Sequence, residues 1–434
     1  MLAVAGFILM TTARFRSNDV PYLHRVAHEV VDAALVPAGG KVENGGINST
    51  GFPIRVPGGT QSYYPAFWVR DAAMMLGTDL VPAGEVEGWV RVIAATQPGE
   101  AGLDFTHGLH IPPYSIPDHV TLQGLACWFP GAYAEQGVGD FGYLPPADDA
   151  FYFVQMVDEV VRLTGKPDFL RAEVKTAWGV HPVFDVCLRA FDSVESDPAT
   201  GLVVCSEVAG KGRVDWGFCD SIVKTGSCLM PSLLRWQAAS RLRRLAEMVG
   251  RRDDAERMSL TAALIRRSLP ATFYRQVGRD AGMLLSATGL GHKDDVWASA
   301  FAVWLHILPS KLEVSVARGL LSLARDGGIV REGQVRHIPL SGPFGGHWER
   351  AKSSPESYQN GGYWATPSGW LIMALRKVDR RESDRLLSEF MACLSAKRAG
   401  GAPYEWIHPE TGQYVNPNYG SSAGLVYSAL TTGR

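Results

Sequence analysis

The 434-residue chain lacks several features that would indicate a function directly. Its six cysteines include no Cys-x-x-Cys pair, which argues against a disulfide framework or a zinc site and favours buried thiols in a reducing compartment. The formal net charge is only -2, so no overall field would attract nucleic acid or an anionic membrane. No glycine-rich phosphate loop or Cys-His nucleophile motif occurs. We therefore predict no cofactor.

Long hydrophobic runs are also missing. The apolar segment 2–10 is shorter than a membrane span, and no basic residue precedes it as in a typical signal peptide. Residues 1–20 are therefore expected to be disordered or a weak signal-like segment. A cytoplasmic location without a membrane partner is favoured, and secretion directed by this segment is the alternative.

Helical periodicity is abundant. Apolar residues at helical spacing predict eleven or twelve helices, over 21–36, 71–80, 86–95, 150–163, 169–191, 224–249, 253–269, 295–307, 311–324, 369–378, 382–397 and 423–431. Strand patterns are few, at 201–206 and 335–338. Paired helices without an intervening linker predict an all-α closed toroid, with the function carried by its long loops.

The first candidate binding segment is the aromatic stretch 63–71. It ends on Arg70 and Asp71, directly before an apolar helix. Trp68 and its neighbouring rings could cover the apolar face of a sugar while the charged pair holds the hydroxyls. The alternative is an acidic residue that favours the start of its helix, with Arg70 as a surface partner. Asp148 and Asp149, at another helix entry, are further candidate sugar contacts, with helix capping as the alternative.

Candidate acid–base residues lie in two later loops. Asp215 and Asp220 accompany Trp216 in segment 212–220, an apolar setting that raises the pKa of a carboxyl and suits a general acid. Capping of the next helix is the alternative for at least one of them. Glu405 lies between two aromatic residues near the C-terminus and could serve as the partner base.

Segments 358–367 and 403–412 combine polar side chains with aromatic rings in turn-rich sequence. The proposed sugar contacts there are Gln359, Asn360, Tyr363, Trp364 and Tyr404. A structural turn before a helix is the alternative for the first segment. Asp104, His107, His110 and His119 could form a metal site, but His-x-x-His outside a regular helix is a weak signal and no metal is predicted.

These motifs, in this order, resemble those of the six-hairpin (α/α)6-barrel glycosidases. That group includes glucoamylase, trehalase, the processing α-glucosidases and the amylo-α-1,6-glucosidase part of glycogen debranching enzyme. Trp68-Val69-Arg70-Asp71 resembles the Trp-x-Arg-Asp segment whose Arg and Asp hold the sugar in the -1 subsite. Asn360-Gly361-Gly362-Tyr363-Trp364 resembles the Asn-Gly-Gly-x-Trp loop that precedes a late barrel helix. Segment 404–412 is similar to the Glu-x-x-x-Pro-x-Thr-Gly segment that carries the general base, which implies Glu405.

The resemblance also implies where the acid lies and what the chain does. The acid would come from the loop before a mid-barrel helix, where Asp215 and Asp220 both remain candidates and Asp220 is preferred. One (α/α)6-barrel domain over 1–434 is expected to hydrolyse a terminal, α-linked glycosidic bond with inversion, using a carbohydrate substrate. A phosphorylase or epimerase on the same barrel, or a non-catalytic carbohydrate-binding barrel, is the alternative.

Overall fold

The structure is a computed structural model, and it describes residues 19–61, 63–104, 110–129, 145–206, 214–326 and 328–432. Twelve α-helices occur within these ranges. They are α1 Asp19–Ala33, α2 Val69–Met74, α3 Ala83–Ala94, α4 Asp149–Thr164, α5 Val183–Asp192, α6 Leu229–Val249, α7 Arg252–Phe273, α8 Val296–Trp304, α9 Ser310–Arg325, α10 Ser368–Arg376, α11 Arg380–Lys397 and α12 Gly420–Thr431. None of the helices in the described ranges is both long enough and apolar enough to cross a bilayer.

The helices form two concentric layers. Each even-numbered helix contacts the next even-numbered helix, and α12 contacts α2, so six helices close an inner ring. The odd-numbered helices pack outside this ring: α1 contacts α12, α3 contacts α4, α5 contacts α4 and α6, α7 contacts α6, α9 contacts α8 and α10, and α11 contacts α10. The predicted all-α (α/α)6 barrel is confirmed.

Burial differs between the two layers for a simple reason. Helix α8 lies in the inner ring, and all nine of its residues are buried because neighbours surround it on every side. The outer helix α1 buries a single stripe at helical spacing, formed by Leu23, Val26, Ala27, Val30 and Val31. The rest of α1 faces solvent or is partly covered, as expected for an outer-layer helix.

The strands are short and all pair antiparallel. They are β1 Leu35–Val36, β2 Lys41–Val42, β3 Gly46–Ile47, β4 Ile54–Arg55, β5 Ala66–Trp68, β6 Leu103–Asp104, β7 His110–Ile111, β8 His119–Thr121, β9 Ala126–Cys127, β10 Glu173–Thr176, β11 Gly179–Pro182, β12 Val204–Cys205, β13 Gly226–Ser227, β14 Tyr274–Gln276, β15 Gly282–Leu284, β16 Val330–Arg331, β17 Gln334–Arg336, β18 Tyr363–Trp364, β19 Trp406–Ile407 and β20 Tyr414–Val415. Within the described ranges six sheets are two-stranded, β5, β8 and β9 form a three-stranded sheet, and β16 to β20 form a five-stranded sheet in chain order. In this last sheet β18 pairs with β19, which brings segments 358–367 and 403–412 together.

The helix predicted over 169–191 is wrong. That stretch contains a short 3-10 helix, Pro167–Arg171, the hairpin of β10 and β11, and then helix α5. Gly179 has φ of 138°, a conformation that side chains rarely adopt, and Pro182 immediately precedes α5. These two residues allow a tight hairpin where apolar spacing alone predicted a continuous helix.

Candidate active site

The predicted site residues gather where the chain enters the inner helices. Trp68 precedes α2, Asp148 precedes α4, Asp220 lies before α6, Gln359 before α10, and Glu405 before α12. Because each outer helix returns the chain, the inner helices all begin at the same end of the barrel. The positive ends of their dipoles therefore converge on this end and favour carboxylates there.

Arg70 is the centre of a buried ionic cluster. Its side chain is only 3% exposed, and its Nε donates to Asp148 Oδ2 at 3.0 Å. Its Nη2 donates to Asp118 Oδ1 at 2.6 Å and to Asp149 Oδ2 at 2.9 Å. The three carboxylate side chains are 0% exposed. Arg70 is therefore committed to protein carboxylates, one of which, Asp118, was not among the predicted site residues.

Gly217 anchors the loop carrying Asp220 onto this cluster. A Cβ placed on Gly217 would lie 1.7 Å from Arg70 Cζ, so the close approach of this backbone to the guanidinium requires glycine. The Gly217 N–H also donates to Asp148 Oδ2 at 3.1 Å. The position of the Asp220 loop thus depends directly on Arg70 and Asp148.

One guanidinium does not neutralise the three aspartates equally. Burial acts to raise the pKa of Asp118, but Arg70 and then His119 outweigh it and lower that pKa below its usual range. Burial raises the pKa of Asp148 and, well above its usual range, that of Asp149, despite the opposing effect of Arg70. Of the three aspartates, Asp149 is therefore the one whose ionised form is stabilised least.

His119 supplies a second positive group beside this cluster. Its ring stacks on Trp68 with 4.0 Å between centroids, and its Nδ1 lies 2.7 Å from Asp118 Oδ2. Burial lowers the pKa of His119, but the contacts with Asp118 and Cys127 outweigh it and raise the value to about 9. His119 therefore serves as an ionic partner of Asp118.

The other residues considered for a metal site are not gathered around His119. Asp104 and His110 form their own pair at 2.8 Å with both side chains exposed, and His107 lies outside the described residues. Within the described ranges, no group of three or more histidine, cysteine or acidic side chains is arranged to hold a metal ion.

Asp71 joins the first and last inner helices. It lies in the first turn of α2, and its Oδ1 accepts a short hydrogen bond from the hydroxyl of Ser421 in α12. Burial raises the pKa of Asp71 to about 6, against the opposing effects of Ser421 and Arg70. Asp71 is consequently a hydrogen-bond acceptor at neutral pH.

Glu405 is buried, with 1% of its surface exposed, and it is held by two side chains. The Tyr64 hydroxyl donates to its two carboxylate oxygens at 3.3 and 3.2 Å, and Asn416 Nδ2 donates a short hydrogen bond to Oε2. Burial raises the pKa of Glu405 to about 8, Asp71 and Asp220 act in the same direction, and Asn416 and Tyr64 oppose it. Neither donor was predicted from the sequence, although Tyr64 lies within segment 63–71.

Asp220 follows the 3-10 turn Gly217–Cys219 and remains partly accessible to solvent. Gln359 Nε2 donates to its Oδ1 at 2.7 Å. Burial raises the pKa of Asp220 to about 7, Asp118 acts in the same direction, and Gln359 and Arg70 oppose it. A carboxyl with this pKa is poised to give up a proton near neutral pH.

Asp215 has a different environment. Its side chain is 0% exposed, and its Oδ2 lies 3.0 Å from Nζ of Lys224, which is equally buried. Its Oδ1 accepts a hydrogen bond from the Trp216 backbone N–H at 2.8 Å. Both oxygens are therefore engaged within the protein, and of the two candidate acids only Asp220 is open to a ligand.

Several predicted sugar contacts are engaged inside the protein. Trp216 donates from Nε1 to the Tyr152 hydroxyl at 2.9 Å, and Trp364 donates to the Tyr358 carbonyl at 3.3 Å. Tyr404 donates its hydroxyl proton to the Gly400 carbonyl at 2.8 Å. Buried side chains of this group are Trp68, Trp216, Gln359, Asn360, Tyr363, Trp364 and Tyr404. Their contact with a sugar stays a prediction, while the observed bonds hold the loops in place.

Comparison with known proteins provides matches at the level of structure. No family model and no curated protein sequence matches the chain. A structure of an uncharacterized conserved protein from Thermus thermophilus aligns with 94% of this chain and 99% of its own, at 15% identity and a TM-score of 0.56. A GH63 mannosylglycerate hydrolase from the same organism, in complex with glucose, aligns with 93% of this chain and 98% of its own, at 16% identity and a TM-score of 0.55.

The chain has the fold of these structures. A further structure of the mannosylglycerate hydrolase, in complex with Tris, aligns with 95% of this chain and 100% of its own, at 15% identity and a TM-score of 0.54. The resemblance to six-hairpin (α/α)6 glycosidases predicted from the motifs is thus confirmed for the fold.

Proposed function

We propose that the chain is a glycoside hydrolase that removes a terminal, α-linked sugar with inversion of configuration. The observation that carries the proposal is the pair of enclosed carboxylates, Asp220 and Glu405, at the end of the barrel where the inner helices begin. Burial raises the pKa values of Tyr64 and Tyr358, and both carboxylates raise them further. Both phenols thus lie near both carboxylates, which supports a shared site for Asp220 and Glu405.

In this proposal Asp220 is the acid and Glu405 is the base. Asp220 would protonate the leaving oxygen while Glu405 activates a water molecule on the other side of the sugar. Burial raises the pKa of Glu405 to about 8 and that of Asp220 to about 7. By these values alone, Glu405 would hold its proton more tightly than Asp220, which is the opposite of the proposed roles. Asp220 also contributes to the raised pKa of Glu405, and the proposed mechanism requires the proton on Asp220 and the negative charge on Glu405 when the substrate is bound.

The hydrogen-bond donors differ between the two carboxyls. Glu405 receives donors from both Tyr64 and Asn416, whereas Asp220 receives one side-chain donor, Gln359. Donors stabilise the ionised form, so Tyr64 and Asn416 support a negative charge on Glu405 against the effect of burial. An inverting hydrolysis requires this charge on the base, Glu405, and the proton on the acid, Asp220.

The remaining carboxylates would bind the sugar. Arg70 is occupied by three aspartates, so we assign it to holding Asp148 and Asp149 in place, and we assign hydroxyl contacts to Asp71 and Asp149. Trp68, stacked on His119, would line the same subsite. The structural neighbours include a mannosylglycerate hydrolase in complexes with glucose and with D-glycerate, which supports a small glycoside as the substrate.

A turnover screen tests the proposal. Aryl α- and β-glycosides, α-linked oligosaccharides and mannosylglycerate are incubated with the protein, with and without phosphate. We expect phosphate-independent release of a monosaccharide, and we expect the release to disappear in Asp220→Asn and Glu405→Gln. The matched control is Glu410→Gln, because Glu410 is an exposed carboxylate five residues from Glu405. Phosphate-dependent turnover, or sugar binding without turnover, would reject hydrolysis in favour of a phosphorylase or a binding barrel.

A further inference from the structure

Gln359 makes three hydrogen bonds that fix the orientation of its amide. It is 1% exposed and lies in the 3-10 turn Tyr358–Asn360. Its Oε1 accepts from the backbone N–H of Ser221 at 2.8 Å and from the Ser221 hydroxyl at 2.9 Å, and its Nε2 donates to Asp220 Oδ1 at 2.7 Å. A backbone N–H can only donate, so the amide oxygen must face Ser221 and the amide nitrogen must face Asp220.

The turn that carries Gln359 is itself held to the Asp220 loop. The Asn360 side chain accepts from the Trp348 N–H at 3.0 Å and donates to the Ser353 carbonyl at 3.0 Å. The Lys352 N–H donates to the Ser221 carbonyl at 2.8 Å, and the neighbouring residues Ile222 and Ala351 form an antiparallel bridge. Segment 348–353 thus links the turn that carries Gln359 to the loop that carries Asp220, and these contacts keep Gln359 beside Asp220.

We propose that Gln359 is a positioning residue for Asp220: it occupies Oδ1 and so makes Oδ2 the oxygen that carries the proton and delivers it to the substrate. An oxygen that accepts the amide N–H has that side blocked to a proton or ligand, whereas Oδ2 has no such contact with Gln359. The inference rests on the proposed function, and it replaces the sugar contact that the sequence predicted for Gln359.

The same bond adjusts the acidity of Asp220. The charged and titratable groups that act on Asp220, or on which Asp220 acts, are Asp118, Arg70, Cys219, Tyr358, Tyr64 and Glu405. Burial and Asp118 raise the pKa of Asp220, whereas the Gln359 N–H stabilises the carboxylate and lowers it. Loss of the amide should therefore raise this pKa and leave the carboxyl free to rotate.

The pH dependence of kcat/KM in Gln359→Leu tests the inference. The alkaline limb reports the acid in the free enzyme, and we expect it to move up by about one pH unit, the size expected for one hydrogen bond to a charged group. We expect kcat to fall by about tenfold or more and KM to stay within about twofold, because the bond acts on the acid and not on substrate binding. Ser353→Ala is the matched control, since its hydroxyl contacts the Ser221 hydroxyl at 2.8 Å but not Asp220.

Two other results would overturn the inference. A raised KM with an unmoved limb would show that Gln359 contacts the sugar, and an unchanged profile would show that it does not act on Asp220. If Gln359→Leu does not fold, Gln359→Glu keeps the acceptor for Ser221 and places a second carboxylate against Asp220. It should raise the alkaline limb further, and an unmoved limb there overturns the inference as well.

A carboxyl titration separates this inference from the proposed function. The 13C signal of Asp220, assigned with Asp220→Asn in aspartate-labelled protein, is followed against pH with and without Gln359→Leu. An upward shift together with glycoside turnover supports both proposals. An upward shift in a protein that turns over no glycoside keeps the Gln359–Asp220 contact but overturns hydrolysis. No shift overturns the role of Gln359 whatever the activity.

Discussion

Replacing Arg70 with methionine tests whether the ionic cluster organises the site. The variant keeps much of the side-chain volume but leaves Asp118, Asp148 and Asp149 buried without their shared cation. Removal of one partner from a buried ion pair costs about 3–5 kcal/mol. The variant could instead bury a carboxyl in its protonated form. Protonating a carboxyl of ordinary pKa near 3.9 at pH 7 also costs about 4 kcal/mol, so proton uptake does not reduce the loss of stability. We expect Arg70→Met to lose about 4–5 kcal/mol of unfolding free energy at pH 7.

The sign of the pH dependence follows from Asp118. Its pKa is lowered in the folded protein, so its stabilisation is complete above the unfolded pKa and is lost as the pH falls through the folded pKa. Without Arg70, burial would raise the pKa of Asp118 and would raise those of Asp148 and Asp149 further, so the variant loses stability as the pH rises from about 4 through those values. Each carboxyl that must bind a proton contributes about 1.4 kcal/mol per pH unit. The deficit should therefore be larger at pH 7.5 than at pH 5.5.

Thermal and urea unfolding at these two pH values measure the effect. Arg251→Met is the matched control, because Arg251 also pairs with two aspartates, Asp185 and Asp254, each at 2.8 Å, but its side chain is 46% exposed. Exposed pairs contribute about 0–1 kcal/mol, so the control should remain close to the wild type. A deficit for Arg70→Met that equals that of the control, or that does not change with pH, would refute the account of the cluster.

Three further substitutions test the rest of the site. Glu405→Gln should lower kcat by about a thousandfold or more while the melting temperature stays the same or rises, because a buried carboxyl is replaced by an isosteric amide; a kcat within tenfold of the wild type contradicts its role as base. Tyr64→Phe removes a donor that lowers the pKa of Glu405, so the acidic limb of kcat/KM should move up by about one pH unit, and an unmoved limb argues against that contact. Gly217→Ala should displace the Asp220 loop from Arg70, which should lower the unfolding free energy by about 3 kcal/mol or more and remove most of kcat. The control is Gly84→Ala in α3, where an added Cβ meets nothing within 4 Å, and this change should be neutral or stabilising. Equal effects of the two substitutions would disprove the need for glycine at 217.

Much of the fold could be predicted because the helices have strong apolar patterns. The outer helix α1 shows a single buried stripe and α8 an almost unbroken apolar run, and both are recognisable in the sequence. The hairpin of β10 and β11 was missed because each strand has only four residues and its apolar spacing also fits a helix. Many other strands have two residues and carry no periodicity at all.

Site residues could be predicted where a charged side chain stands next to the start of a helix in a recognisable motif. Arg70, Asp148 and Asp149 were selected separately for their places before helices, and the fold joins them in one ionic cluster. Asp118 was missed because it precedes a short strand in an irregular segment, 48 residues from its partner Arg70. Asn416 reaches Glu405 from a turn residue with φ of 52°, and local sequence does not show where such a side chain points. Contacts across the barrel require the fold, and the residues that adjust a pKa are mostly of this kind.

The stereochemistry of the first product tests the central claim most directly. A glycoside found by the turnover screen is hydrolysed in a concentrated protein solution, and the anomeric proton of the released sugar is followed by NMR before mutarotation. Single displacement by water, with Asp220 as acid and Glu405 as base, predicts that the first product has the opposite anomeric configuration to the substrate. A first product with retained configuration would require a covalent intermediate and would contradict the assignment of Glu405 as a base acting on water.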